Sequence, residues 1–371
     1  MHLSALDFLA DPENGIPLRL QVFERDGDWI AEAVLRGPEE RWYPVAGGLP
    51  AFSPDPVINL AAFCERHGLA RPAHSHQQEH GQVLTNVTFS DKWRRFRTYG
   101  LESSHQAFLQ DWYARKFGLD SRDELSGFFA QFQTILEVGT GSGFNTRFMA
   151  QHCPGAVFGL DISEAASVTM ENTRDLPNCH AINADLFQAP FRDDTFDFAV
   201  ADGVLHHTPD SRAAMEAVFR KVRPGGQFFF YVYRKMGAMR QFADCYIRER
   251  FTKLSPDECY EACEALTELG RELASLRATV TLRKPIEVLG IPAGTHDVQR
   301  LLYYNFLKCF WNDAFDFATN NMINFDWYHP HHAWQHTEQE VRGWLSELGV
   351  ADYQINDANP NGISVLLRKP G

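Results

Sequence analysis

No CxxC pair, no uncharged apolar run near the roughly 20 residues of a membrane helix, and no repeat of solenoid period occur in the sequence. The seven cysteines are scattered; Cys259 and Cys263, four apart in a helical stretch, read as two thiols on one helix face. An odd count without pairing pattern points to reduced thiols. Positive charge is in deficit: 35 Lys and Arg stand against 48 Asp and Glu, a net charge of -13. A duplex-binding protein concentrates positive charge to neutralise phosphates, so no nucleic-acid partner and no membrane partner are expected. The first 15 residues meet Asp7 and Asp11 too early for a secretory signal, which gives a cytoplasmic expectation. What is present is core-forming material, with 44% hydrophobic and 22% charged residues.

Residues 18–23 alternate as a strand, Asp26-Gly27 reads as a hairpin turn, and 29–35 is the return strand. With 42–50 they make a small β domain over 1–60. A linker spans 61–103; its polar stretch 71–82 carries His74, His76 and His80, read as loop histidines or a metal site. Helical stretches at 104–117 and 121–132 precede strands at 135–138, 156–161, 180–184, 196–201 and 227–233, a core over 104–235. Strands interleaved with helices imply a doubly wound α/β sheet covered on both faces. Residues 236–335 break the rhythm as a mainly helical cap insert, clearest at 255–276 and 296–312. Thr337 and Glu340 form a capping box that opens a helix over 338–348. A hairpin of 353–356 and 363–368 brings the sheet to seven strands and completes the core over 336–371. The insert follows the fifth strand, at the carboxyl edge where open α/β sheets bind ligands.

A Gly-rich turn, Glu137-Val138-Gly139-Thr140-Gly141-Ser142-Gly143, follows the first core strand. Glycines let backbone approach a ligand, and the next helix offers free N–H groups. The spacing is G-x-G-x-G, with Phe144 where a dinucleotide fingerprint wants its third glycine. Asp161 ends the second strand, Asp185 ends the third, and Asp202-Gly203-Val204-Leu205-His206-His207 follows the fourth.

Together with Leu160-Asp161-Ile162-Ser163, Asn183-Ala184-Asp185, residues 191–198, Val204–Thr208 and Val222-Arg223-Pro224-Gly225-Gly226, the turn resembles the class I S-adenosylmethionine-dependent methyltransferases. The resemblance is strong over 130–235 and moderate over 337–368, and it implies a Rossmann-like core and S-adenosyl-L-methionine as cofactor. It implies that Glu137, Gly139, Thr140, Gly141 and Gly143 pack on the methionine part. Asp161 and Ile162 would serve the ribose, Asp185 and the Leu186 N–H the adenine, and Asp202 and Gly203 would complete the site. Residues 8–50 resemble the small zinc-ribbon domain that partners or precedes several methyltransferases. Its metal positions fall on Asp11, Asn14, Arg36 and Glu39, none a thiol, so no metal is expected there.

Methyl transfer from a sulfonium needs alignment and exclusion of water; a hydroxyl or amine acceptor also needs a proton sink. His206 and His207 stand at the right edge for that. Residues 325–336, rich in aromatics and histidine, would line an acceptor pocket with His331 or His332 as base and Trp327 and Tyr328 as walls. The same segment reads equally as loop packing, and less readily as a metal site. Residues 301–307 would cover the pocket or pair two copies in a homodimer. Residues 89–99 would fold over the cleft, with an arginine on the methionine carboxylate, or form a solvated helix face. Asp202-Gly203-Val204-Leu205 stands where adenine-N6 and glutamine methyltransferases carry Asn-Pro-Pro-Tyr, which disfavours that branch. The expected activity is methylation of a small-molecule biosynthetic intermediate. The alternatives are transfer or cyclisation of the aminocarboxypropyl group, and a non-catalytic cofactor-binding regulator.

Overall fold

Seven strands whose side chains alternate between two buried faces form the centre of the molecule in a computed structural model of the chain. The structure describes residues 1–53, 57–72, 78–356 and 359–371, with backbone alone at 103–105. His74 and His76 therefore lie outside the described residues. In chain order, β1 (Arg19–Asp26), β2 (Trp29–Arg36), β3 (Trp42–Ala46) and β4 (Leu49–Pro50) form an antiparallel sheet. Next come α1 (Leu60–His67), α2 (His80–Arg95), α3 (Ser103–Lys116) and α4 (Arg122–Phe129). The core follows as β5 (Thr134–Val138), α5 (Phe144–His152), β6 (Ala156–Asp161), α6 (Ala165–Thr173), β7 (Cys179–Asn183), β8 (Phe196–Asp202), α7 (Ser211–Lys221) and β9 (Val222–Tyr233). The insert holds α8 (Ala238–Phe251), α9 (Pro256–Ser275), the hairpin β10 (Thr279–Leu282) and β11 (Gly294–Asp297), α10 (Val298–Asn305) and α11 (Phe317–Tyr328). The chain then runs through α12 (Glu338–Glu347), β12 (Tyr353–Asn356) and β13 (Gly362–Arg368).

The sheet order is β12-β13-β9-β8-β5-β6-β7, parallel from β7 to β9 and antiparallel at β13. Phe229 and Tyr231 of β9 face Phe117, just past α3, and Phe129 of α4, while Phe228 and Phe230 face the opposite layer with Met215 of α7 and Leu345 of α12. Capping boxes at Ser255 and Thr337 fix where α9 and α12 begin. The insert is helical as expected, except that 296–297 ends a strand and the helix there stops at Asn305.

The N-terminal sheet shares its core with the large one. Phe8 lies 4.8 Å from the Phe158 ring, and the Phe52 N–H donates to the Asn183 carbonyl at 2.8 Å. The boundary at residue 60 thus divides chain segments, not cores. The four positions compared with zinc ligands are engaged in other contacts. Asp11 accepts from Arg41 at 3.0 Å, and Glu39 accepts from the same guanidinium at 2.8 Å. Asn14 caps a local turn, and Arg36 donates to Gln21. A guanidinium thus gathers the carboxylates of this corner, and elemental analysis of protein purified without chelator is expected to find substoichiometric zinc.

Polar stretch 71–82 does not remain a linker to its end, because Glu79 caps α2 by accepting from the Gly81 and Gln82 N–H groups. Residues 301–307 present no exposed stripe: Tyr303 is buried and Tyr304 half-buried. Among the described residues no helix is long and apolar enough to cross a membrane.

Candidate active site

The parallel strands end at one edge, and their loops, α2, α3 and the insert enclose a cavity of about 600 Å³. Its floor is the Gly-rich turn, with φ of 77° at Gly139 and 59° at Gly141. A Cβ at Gly139 would fall 2.1 Å from Val204 Cγ2, and one at Gly141 2.6 Å from the Trp93 ring. The glycines are therefore fixed by conformation and by space. Thr140 is held by the Thr169 hydroxyl at 2.7 Å. Gly143 starts α5 at φ 80° but does not reach the cavity.

Glu137 does not reach it either. Its carboxyl lies beneath the turn and takes the Thr146 hydroxyl. Burial, with the Asp202 and Asp161 charges adding and the Thr146 bond opposing, pushes Glu137 up to about 8 from 4.5. A folded-state value above the unfolded one favours the protonated form. Its stabilising contribution is full below about 4.5 and is lost as pH rises to about 8. Unfolding midpoints followed across that window should fall with pH, and Glu137→Gln should flatten the slope.

Asp161, Ile162, Asp185, Leu186, Asp202 and Gly203 all line the cavity. One Asp161 oxygen takes the Ser163 N–H at 2.9 Å and hydroxyl at 2.7 Å; the other faces the Gly141 N–H at 3.4 Å, and the Thr140 backbone also acts on the carboxyl. Burial raises the Asp161 carboxyl above its ordinary value, against those bonds. Asp185 caps the next turn by accepting from the Phe187 N–H at 2.9 Å. Asp202 is bound by the Lys116 ammonium at 2.8 Å on both oxygens. That ammonium sits 3.9 Å from the Trp112 ring centroid and 4.5 Å from that of Tyr231. Burial lowers Lys116, and Asp202 opposes the shift.

Of the five residues expected to carry chemistry, His207 alone lines the cavity. Its Nδ1 lies 2.7 Å from the His332 carbonyl, which assigns the proton to Nδ1 and leaves a lone pair on Nε2. Burial, opposed by Asp326, lowers it to about 4, so the ring is neutral at pH 7. His206 is fully buried against Tyr233, ring centroids 3.7 Å apart, and packs under the loop. His331 and His332 clamp α2. His332 Nε2 meets Glu79 at 2.8 Å, and a Cβ at Gly81 would lie 2.5 Å from His331. Tyr328 is buried in the insert, its hydroxyl donating to the Lys308 carbonyl at 2.9 Å. Trp327 does form a wall.

Segment 89–99 folds over the turn as expected, through Phe89, Lys92, Trp93 and Tyr99. Its arginines do not enter: Arg94 and Arg95 pair with Asp91, and Arg97 pairs with Glu171. Lys92 enters instead and binds Asp326 at 2.8 Å. Lys92, Lys116, Lys308 and Asp326 escaped the sequence reading, since lone charges carry no spacing signal. Among the described residues no group of three potential metal ligands occurs.

Residues 136–230 match a family model described as a methyltransferase domain. The demethylmenaquinone methyltransferase of Staphylococcus haemolyticus is 36% identical over 73 residues, 19% of this chain and 30% of that protein. The ubiquinone biosynthesis O-methyltransferase of Hydrogenovibrio crunogenus is 32% identical over 112 residues, 28% of this chain and 46% of that protein. The chain thus spans between about a third and a half of these two relatives. The solved DhpI-SAH complex is similar at 15% identity and a TM-score of 0.41, over 79% of this chain and 99% of that one.

Proposed function

We propose that this chain, with its methyltransferase domain at 136–230, is an S-adenosylmethionine-dependent methyltransferase acting on a small-molecule acceptor. The observation that supports the reading is the Asp161 and Asp185 carboxylates at neighbouring strand ends, lining one cavity with a Gly-rich turn that Val204 and Trp93 pack against too closely for side chains. A carboxylate at the end of a second strand suits two ribose hydroxyls, and Asp185 with the Leu186 N–H suits an adenine edge. Both relatives are named for small-molecule pathways, and an enclosed cavity with a net charge of -13 on the chain favours such an acceptor over a polyanion.

The bound sulfonium would supply an already activated methyl group. The residues of this chain align and shield. Trp93 closes over Gly141, and the Ser142 hydroxyl ties the turn to the Tyr99 carbonyl at 2.8 Å, which excludes water. His207, which lines the cavity, would accept a proton from a hydroxyl or amine through Nε2, as a weak base because burial holds it at about 4. Neither Glu137 nor Gly143 touches the ligand in this reading; both shape the turn. Sedimentation velocity would read a homodimer, for which the half-buried apolar residues of 301–307 are one candidate face.

Calorimetry should show binding of S-adenosylmethionine and S-adenosylhomocysteine and none of NAD. Incubation with candidate acceptors should then yield S-adenosylhomocysteine by mass. Methylthioadenosine would mean aminocarboxypropyl chemistry, binding without turnover a regulator, and tight NAD binding would sink the assignment.

A further inference from the structure

The half of the cavity built by the insert contains an ammonium with no ion-pair partner among the described residues. Lys308 lies between α10 and α11 and is 5% exposed, yet it lines the cavity. Its ammonium stands 3.9 Å from the Trp327 ring centroid, and among the described residues no carboxylate lies within 4 Å of it. The two acidic groups nearby pair with other cations, although Asp326 keeps one buried oxygen, Oδ1, without a hydrogen bond among the described residues. Asp326 binds Lys92 at 2.8 Å; Asp244 binds Arg240 at 2.9 Å and also accepts from the Trp327 indole. Three cations against two carboxylates leave Lys308 as the surplus charge. A second cavity cation, Arg300, donates to the Trp311 carbonyl at 3.1 Å and likewise has no carboxylate within 4 Å among the described residues. Both flank Tyr303, at 5.6 Å for Arg300 and 6.0 Å for Lys308.

An ammonium withdrawn from water without a counter-charge is unfavourable, and a site that keeps one is built for an anion that arrives later. The surrounding walls are Tyr304, Phe310, Phe315 and Trp327, which suit a flat apolar body. We propose that the cap half of the cavity binds an acceptor with a planar aromatic body and an oxyanion, the oxyanion being held by Lys308 with Arg300 beside it. The word acceptor rests on the methyltransferase reading; the anion site does not. Burial, reinforced by Arg240 and Lys92 and opposed by Asp326 and Asp244, lowers Lys308 to about 7, and a bound oxyanion would restore its charge. The Tyr328 hydroxyl on the Lys308 carbonyl fixes the loop that carries it. A methionine carboxylate is the other conceivable source of the anion, and the test separates the two.

The probes are 1-anilinonaphthalene-8-sulfonate, a planar aromatic anion, and N-phenyl-1-naphthylamine, the same body without the sulfonate. Fluorescence titration of protein loaded with S-adenosylhomocysteine should show the anion bound more tightly. Lys308→Met should weaken the anion by about tenfold, the neutral probe by no more than about twofold, and leave S-adenosylhomocysteine affinity unchanged; Lys308→Arg should keep anion binding. Equal loss of both probes, an unchanged anion affinity, or a fall in S-adenosylhomocysteine affinity would each overturn the proposal, the last by giving Lys308 to the methionine carboxylate. Should S-adenosylhomocysteine not bind at all, the methyltransferase reading fails, and the two probes titrated into the free protein still decide the anion site.

Discussion

Asp161→Ala is expected to lower S-adenosylhomocysteine affinity by about a hundredfold. Two ribose hydroxyls on one carboxylate are two charge-assisted hydrogen bonds, each worth ~1.5 kcal/mol or more, so their loss costs about 3 kcal/mol. The carboxylate is prepared for this. The Ser163 N–H and hydroxyl orient one oxygen, while the other meets the Gly141 N–H at a long 3.4 Å. Asp161→Asn keeps an acceptor oxygen and should lose less. Calorimetry on both variants, with circular dichroism to confirm folding, checks the ranking; wild-type affinity in the Ala variant would remove Asp161 from the ribose site.

The second large effect concerns stability. Asp244→Ala should destabilise the protein by about 3–5 kcal/mol, the range for removing one partner of a buried ion pair. Arg240 and Asp244 are both essentially inaccessible, and Asp244 takes the guanidinium on both oxygens at 2.9 Å. It also receives the Trp327 indole N–H at 3.0 Å. Removing it orphans a buried charge and frees a cavity wall. Urea unfolding should show the loss, while Arg240→Met with Asp244→Leu should recover part of it, since an apolar pair leaves no charge unpaired. A single Ala variant as stable as wild type would contradict the burial of this pair.

Much of the core was legible because its physics is local and periodic. The runs at 135–138, 156–161, 196–201 and 227–233 are mostly apolar, broken at Glu137 and Asp197 and bounded by Asp161 and Gln227, as suits strands covered on both faces, and each lies in a strand. The turn at 139–143 was legible through its glycines. Helix α2 was not, and the reason is its buried face: Gln82, Thr85, Asn86, Thr88, Ser90, Asp91 and Lys92 are inaccessible without being apolar. A helix whose buried face is made of polar side chains that bond to one another and to the histidine segment carries no hydrophobic period. The histidines misled for a related reason. Residue type and position at the sheet edge single out His206 and His207 alike, but one turn of backbone sends one ring into the core and the other into the cavity. Tyr328 and Trp327 differ in the same way.

The shared core of the two sheets also has a consequence for the order of synthesis. The segment just after β4 finds its hydrogen-bonding partner in β7, through Ala51 and the Phe52 N–H on Asn183, about 130 residues further along the chain. At about 5–20 residues per second, the first sheet leaves the ribosome roughly 7–26 s before β7 exists. During that interval Leu9, Leu35, Tyr43 and Phe52 have no second layer to pack against. The nascent chain therefore exposes an apolar β surface for seconds, long enough for capture by a chaperone, and arrest peptides placed on either side of residue 183 should report tension only beyond it.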